Sequence, residues 1–133
     1  MTGRPRPHFL DAVTRRPRRF ALRIVPDGHL LAARAILAGD STSRRRGLLG
    51  RDGLAADEAL VIAPTQGIHT FGMRFPIDVV FVDREGHVVR VAAAVPPARV
   101  RLAWRAFAAI ELTAGTCLAA ALRRGDRLEV LPA

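Results

Sequence analysis

An aspartate stands inside the most apolar run of the chain. Asp78 lies in Ile77-Asp78-Val79-Val80-Phe81-Val82-Asp83. Strand alternation puts it on one face with Val80 and Val82, opposite Ile77, Val79 and Phe81. A carboxylate among valines must be paired, hydrogen-bonded or protonated, because burying it bare is costly. Arg74 or the Arg44-Arg45-Arg46 run offers a counter-charge. The plainer role is structural, with Asp78 fixing a loop by accepting backbone N–H bonds. His69 precedes it in Ile68-His69-Thr70-Phe71-Gly72-Met73-Arg74-Phe75-Pro76. An imidazole beside a carboxylate is suited to general acid–base transfer. One reading is therefore an enzyme using Asp78 and His69, provided both reach a shared concavity. The other is a histidine that orients a ligand or supports the fold.

Three further residues carry reactive groups. Glu111 sits between Ile110 and Leu112. Facing a pocket it would be a second acid beside Asp78; facing solvent it would be ordinary, and alternation alone does not choose. His69 and Met73, with the distant Cys117, are soft-metal donors. One of each at irregular spacing is not a metal signature, so Met73 is expected to pack in the core. Cys117 follows Thr116 near a predicted helix start, where a thiol pKa can fall, but burial as a small apolar residue is the expectation. No metal and no cofactor is expected. The chain has no glycine-rich phosphate loop, no paired-cysteine motif and no Gly-x-Ser-x-Gly turn. Tyr is absent and Phe and Trp are few, which argues against a stacking platform for single strands.

These residues must be positioned by short elements. Phe20 to Val25 and His29 to Leu37 flank the turn residues Pro26-Asp27-Gly28 and predict a hairpin. Ser41-Thr42-Ser43 before the arginines predicts a short helix with a hydroxyl cap. It would hold Arg44, Arg45 and Arg46 in its first turn, against the helix dipole, a hint that they have another task. Leu60-Val61-Ile62 reads as a strand, and Ile68 to Arg74 as an irregular segment. Ile77 to Asp83 and Val88 to Val91 form a second hairpin around Arg84-Glu85-Gly86. A connection from Ala98 to Phe107 leads to a strand at Ala108–Leu112. A short helix at Thr116–Leu122, capped by Thr116, and a half-buried strand at Arg127–Val130 follow. Many short strands with Gly/Pro turns predict a mainly β fold with short helices (α+β). It would be small, mostly antiparallel, and closed or nearly closed.

Charge divides the chain. The net charge is +9, all of it from arginine with no lysine present, and half of the residues are hydrophobic. Residues 1–51 hold twelve arginines against three aspartates, whereas residues 52–133 balance nine against nine. Residues 1–19, rich in Pro and Arg, read as a flexible basic extension, and residues 20–133 as one globular domain. A basic arm can attract nucleic acid, so a nucleic-acid accessory protein is a further alternative. One cysteine cannot form an internal bridge, and no apolar run is long enough to span a membrane. With no signal-peptide pattern, a cytoplasmic protein is expected.

The chain resembles a known family. The resemblance rests on Ser43 to Arg51, on Ile68 to Asp83, on Glu111-Leu112-Thr113-Ala114-Gly115 and on Gly125-Asp126. Over about residues 20 to 131 these are similar to domain-of-unknown-function family 192, a conserved prokaryotic family. The resemblance implies a β-rich fold with small helices and supplies no settled activity. Many members carry an export signal or lipid anchor, from which this chain departs. Where members often have an aromatic beside the methionine and a lysine after it, this chain has Gly72 and Arg74. A guanidinium does not replace an ammonium in every role. The expected function is a module binding a small polar or anionic ligand or a partner. Its candidate site residues are Arg46, His69, Met73, Arg74, Asp78 and Glu111.

Overall fold

The computed structural model describes residues 8–9 and 19–132. The element order is β1 (Arg19–Val25), β2 (Leu30–Ala38), α1 (Ser41–Arg46), β3 (Glu58–Ile62), β4 (Gly67–His69) and β5 (Ile77–Val82). Then come β6 (Val88–Val95), β7 (Val100–Leu102), β8 (Ala108–Thr113), α2 (Thr116–Ala119) and β9 (Arg127–Pro132). Among the described residues the fold is mainly β. A seven-stranded sheet runs β6-β5-β8-β3-β2-β1-β9, and β4 and β7 form a separate two-stranded ribbon. All pairings are antiparallel except β2 with β3, which the crossover through α1 makes parallel.

The sheet does not close into a barrel. Among the described residues its two edge strands, β6 and β9, meet beside one bridge between His87 and Arg127. Flanking bonds run from Val88 N to Asp126 O (2.7 Å) and from Leu128 N to Gly86 O (2.8 Å).

The continuous apolar runs become two adjacent interior strands. Every residue of β5 is buried, and in β8 only Thr113 is not. Both strands are covered on two faces, which explains why neither alternates in polarity. One face packs Leu22, Val61, Val80, Val82, Ile110 and Leu112 together. The other packs Ile62, Ile77, Val79, Phe81 and Ala109 against Leu48, Ile68 and Met73 from the covering loops.

Several local expectations are corrected. The cap of α1 is Asp40, whose carboxylate accepts from Ser43 N at 2.7 Å and from Ser43 Oγ at 2.9 Å. The helix therefore starts earlier than a cap inside the serine-threonine run would allow. Arg44, Arg45 and Arg46 fall in its last turn, where positive charge favours the dipole. The dipole conflict, and the hint drawn from it, disappear. The connection after Pro97 contains β7, and the irregular segment at Ile68 opens in β4; the two pair through Gly67–Leu102, Ile68–Arg101 and His69–Val100. These strands are too short for a periodic signal. The strand β6 runs on to Val95, past the expected end at Val91. The helix α2 ends at Ala119 and is capped by Gly115 without a side-chain bond, while the Thr116 hydroxyl donates to Thr113 O.

Most of the expected basic extension, residues 1–7 and 10–18, lies outside the described residues. Within it, Phe9 is 6% exposed and joins the core, and Arg19 already belongs to β1. Phe9 packs so closely on Gly86 that a Cβ there would come 2.9 Å from its ring and would clash with Leu128 O.

Candidate functional site

Adjacent strands carry the two carboxylates to opposite faces. In the pairing of β5 with β8, Asp78 stands opposite Leu112, and Val79 opposite Glu111. Asp78 thus shares the face of Val80 and Val82, and Glu111 the face of Val79 and Ala109.

Asp78 is fully buried. Its Oδ1 accepts from Ala94 N at 2.8 Å, and its Oδ2 from Cys117 N at 2.9 Å and Gly115 N at 3.2 Å. These bonds tie the start of α2 and the end of β6 to β5. Ala94 takes φ 49°, in the left-handed region, at the residue Asp78 holds. Neither arginine source reaches Asp78. Arg74 is exposed and pairs through Nη1 with Asp52 Oδ1 at 2.6 Å. Cys117 is buried beside Asp78, and burial, then the carboxylate's charge, pushes its thiol up to about 12.

Glu111 lies on the floor of a cavity of about 320 Å³ between β3, β8, the α1 turn and the β4 ribbon. It is 3% exposed, and its Oε2 has no hydrogen-bond partner among the described residues. Burial pushes its carboxyl up to about 7. A carboxyl buried without a partner is costly, and here it faces space that a ligand can fill. Leu48, Ile62, Ile68 and Met73 supply apolar walls, and Arg44, Arg45, Arg46, Ser41, Thr65 and His69 line the cavity with them.

The rim is held by its own hydrogen bonds. Arg44 Nη1 donates to Gly39 O at 2.5 Å, which folds that side chain back on the start of its helix. Arg45 and Arg46 are exposed and have no hydrogen-bond or ion-pair partner among the described residues. Next to His69, the buried Thr70 hydroxyl donates to Pro96 O at 2.6 Å and accepts from Arg99 N at 2.9 Å. These bonds lock the end of β4 to the loop entering β7. Phe71 tilts over the His69 ring with centroids 5.9 Å apart.

Of the six sequence candidates, Arg46, His69, Met73 and Glu111 converge on this cavity, whereas Arg74 and Asp78 stand elsewhere. An acid–base pair of Asp78 and His69 lacks its shared concavity. Met73 and His69 both line the cavity, but Cys117 belongs to the core on the other face. Ser41 and Thr65 line the cavity without a signal in the sequence, because hydroxyl residues at a helix start and after a proline are ordinary loop chemistry. The DUF192 family, described as an uncharacterized ACR, matches residues 23–130. The chain belongs to the DUF192 family.

Two solved structures share the DUF192 fold seen here. One is a Sinorhizobium meliloti protein proposed to be a transcription regulator, 22% identical, with a TM-score of 0.76 over 84% of this chain and 93% of that one. The other is a protein of unknown function from Novosphingobium aromaticivorans, 23% identical, with a TM-score of 0.72 over 84% of this chain and 83% of that one. At these identities the likeness concerns the fold. No match is found among the curated proteins. Among the described residues no helix is long and apolar enough to cross a membrane.

Proposed function

We propose that this DUF192 chain is a binding module for a small anionic ligand that also carries a hydrogen-bond donor. The observation behind this reading is the unpartnered Oε2 of Glu111 at the floor of a cavity lined by two unpaired arginines. Arginines at the mouth suit a carboxylate or phosphate, which a guanidinium holds with two parallel bonds. The apolar walls suit a short hydrocarbon spacer. The floor suits an ammonium or hydroxyl, whose proton supplies the bond that Glu111 lacks. Small-molecule sites have this composition, mostly apolar with a few convergent polar groups.

Thermal unfolding with inorganic phosphate, ethyl phosphate and aminoethyl phosphate tests the reading. A native-state ligand raises stability by mass action, about 2.7 kcal/mol at a hundred times its Kd. Aminoethyl phosphate is expected to raise the midpoint most, and the Arg45→Ala/Arg46→Ala double variant to lose the response. Glu111→Gln is expected to remove the advantage of the amino compound over ethyl phosphate. No shift with any of the three compounds, or a shift that persists in the double variant, overturns the proposal.

A further inference from the structure

A second concavity, of about 880 Å³, lies on another part of the molecule. Four consecutive residues of β6, Val88 to Val91, form one wall. This strand is an edge of the sheet. At its beginning Val88 is tied to the turn before β9, through bonds to Asp126 O and from Gly125 N. Beyond Val88 its outer side has no strand partner among the described residues. The incomplete closure of the sheet thus leaves an open row of backbone groups in a groove, the geometry in which an extended segment adds as a further strand.

The side chains around the groove specify what can enter. Arg90 projects from β6, Arg105 comes from the loop after β7, and Arg123 and Arg124 from the turn before β9; no carboxylate is among the lining residues. Arg105, Arg123 and Arg124 are exposed and have no ion-pair partner among the described residues. Trp104 is 75% exposed, with the Arg105 guanidinium 4.9 Å from its ring centre. A second copy of this chain is a poor occupant, because pairing two β6 edges would set these arginines against themselves. The same repulsion that keeps copies apart selects a partner of opposite charge.

We propose that the β6 edge is a docking site for an acidic, extended segment of a partner protein, which joins the sheet as a strand. Val89 to Val91 supply the backbone ladder over about 10 Å, at roughly 3.3 Å per residue. Arg105, Arg123 and Arg124 take the carboxylates, and Trp104 covers the apolar side chains between them. The proposal is independent of the ligand cavity, whose lining shares no residue with this groove.

Trp104 is the chain's one tryptophan, so its emission reports on this groove directly. The experiment titrates the full chain with an octapeptide alternating glutamate with valine and threonine. A second peptide of equal charge carries N-methyl groups on the amides that would pair. The first peptide is expected to shift Trp104 emission, and the methylated one to bind at least about tenfold more weakly, equivalent to 1.4 kcal/mol. Arg123→Glu/Arg124→Glu, and separately Arg105→Glu, are expected to weaken the first peptide by a similar factor while circular dichroism stays unchanged. Equal binding of the two peptides would reduce the site to plain electrostatics and overturn strand addition. So would tighter binding of an oligothymidylate through the same arginines, or no emission change up to about 1 mM peptide, the weak end of useful affinity.

Discussion

Asp78 and Glu111 are one strand apart and meet burial in opposite ways. Asp78 has three backbone donors, and Glu111 has an orphan oxygen. Asp78→Ala leaves three N–H groups without their acceptor; that of Cys117 is buried, and an unsatisfied buried group costs about 1–3 kcal/mol, while those of Ala94 and Gly115 can turn to water. Urea unfolding is expected to show a loss of about 1–3 kcal/mol, with Asp78→Asn milder and phosphate-ester binding in the cavity unchanged in both. Glu111 is expected to do the reverse. Its folded carboxyl sits at about 7, against an ordinary value of 4.5. Between those values the folded chain holds a proton that the unfolded chain has lost. Its contribution to stability is therefore fully present below about pH 4.5 and is lost as pH rises through about 7. Unfolding midpoints measured from pH 5 to pH 8 are expected to fall for the parent chain and to flatten for Glu111→Gln. At pH 8 that variant is expected to be the more stable by on the order of 1–3 kcal/mol, because the cost of burying a charge is gone. A residue whose replacement stabilises the fold and removes a ligand preference belongs to a site.

At the scale of elements, α1 decides where the arginines stand. Six residues make a helix too short to hold itself, so its cap and its ends carry the stability. Asp40 accepts from Ser43 N and Oγ, and those bonds hold its carboxyl below the usual range. Asp40→Ala is expected to cost about 1 kcal/mol. It is also expected to weaken phosphate-ester binding several-fold by loosening the turn that presents Arg45 and Arg46. Asp40→Asn, which keeps an acceptor for the Ser43 amide, is expected to restore most of both. Titration calorimetry with thermal unfolding on the three chains separates this positioning role from a general loss of fold.

At the scale of the whole molecule, Phe9 ties a distant part of the sequence to the open side of the sheet. Its N–H donates to Arg84 O at 2.5 Å, and its ring lies against Gly86 in the core that holds Leu128. Beside it, His8 meets the Phe107 ring edge-on at 4.6 Å. Phe9 thus helps hold the β5–β6 turn near β9, where the sheet fails to close. Phe9→Ala is expected to cost about 3 kcal/mol, as burial and packing are both lost. Removal of residues 1–18 is expected to cost at least as much, where composition alone makes the segment dispensable. Chemical unfolding of the two variants beside the parent chain measures this directly.

The sequence by itself determined the strand-rich architecture, because Ile77 to Val82 and Ala108 to Leu112 are too apolar to lie anywhere but in strands covered on both faces. It also determined that Asp78 is buried, since an isolated carboxylate in such a run has no route to water. It marked Arg46, His69, Met73 and Glu111 as candidates. The site itself was decided by tertiary structure. Whether Glu111 faces a cavity depends on the register between β8 and β5, and a one-residue slip would turn it to the other face. Such a slip would leave the local pattern of β8 unchanged. The partners of Asp78 are backbone amides from 16 to 39 residues away, and amides carry no residue identity for a sequence to display. The ribbon of β4 and β7 gains its bonds only after both segments are brought over the sheet. The same holds for Phe9, whose burial in a proline- and arginine-rich stretch depends on the space above Gly86, which exists only in the folded chain.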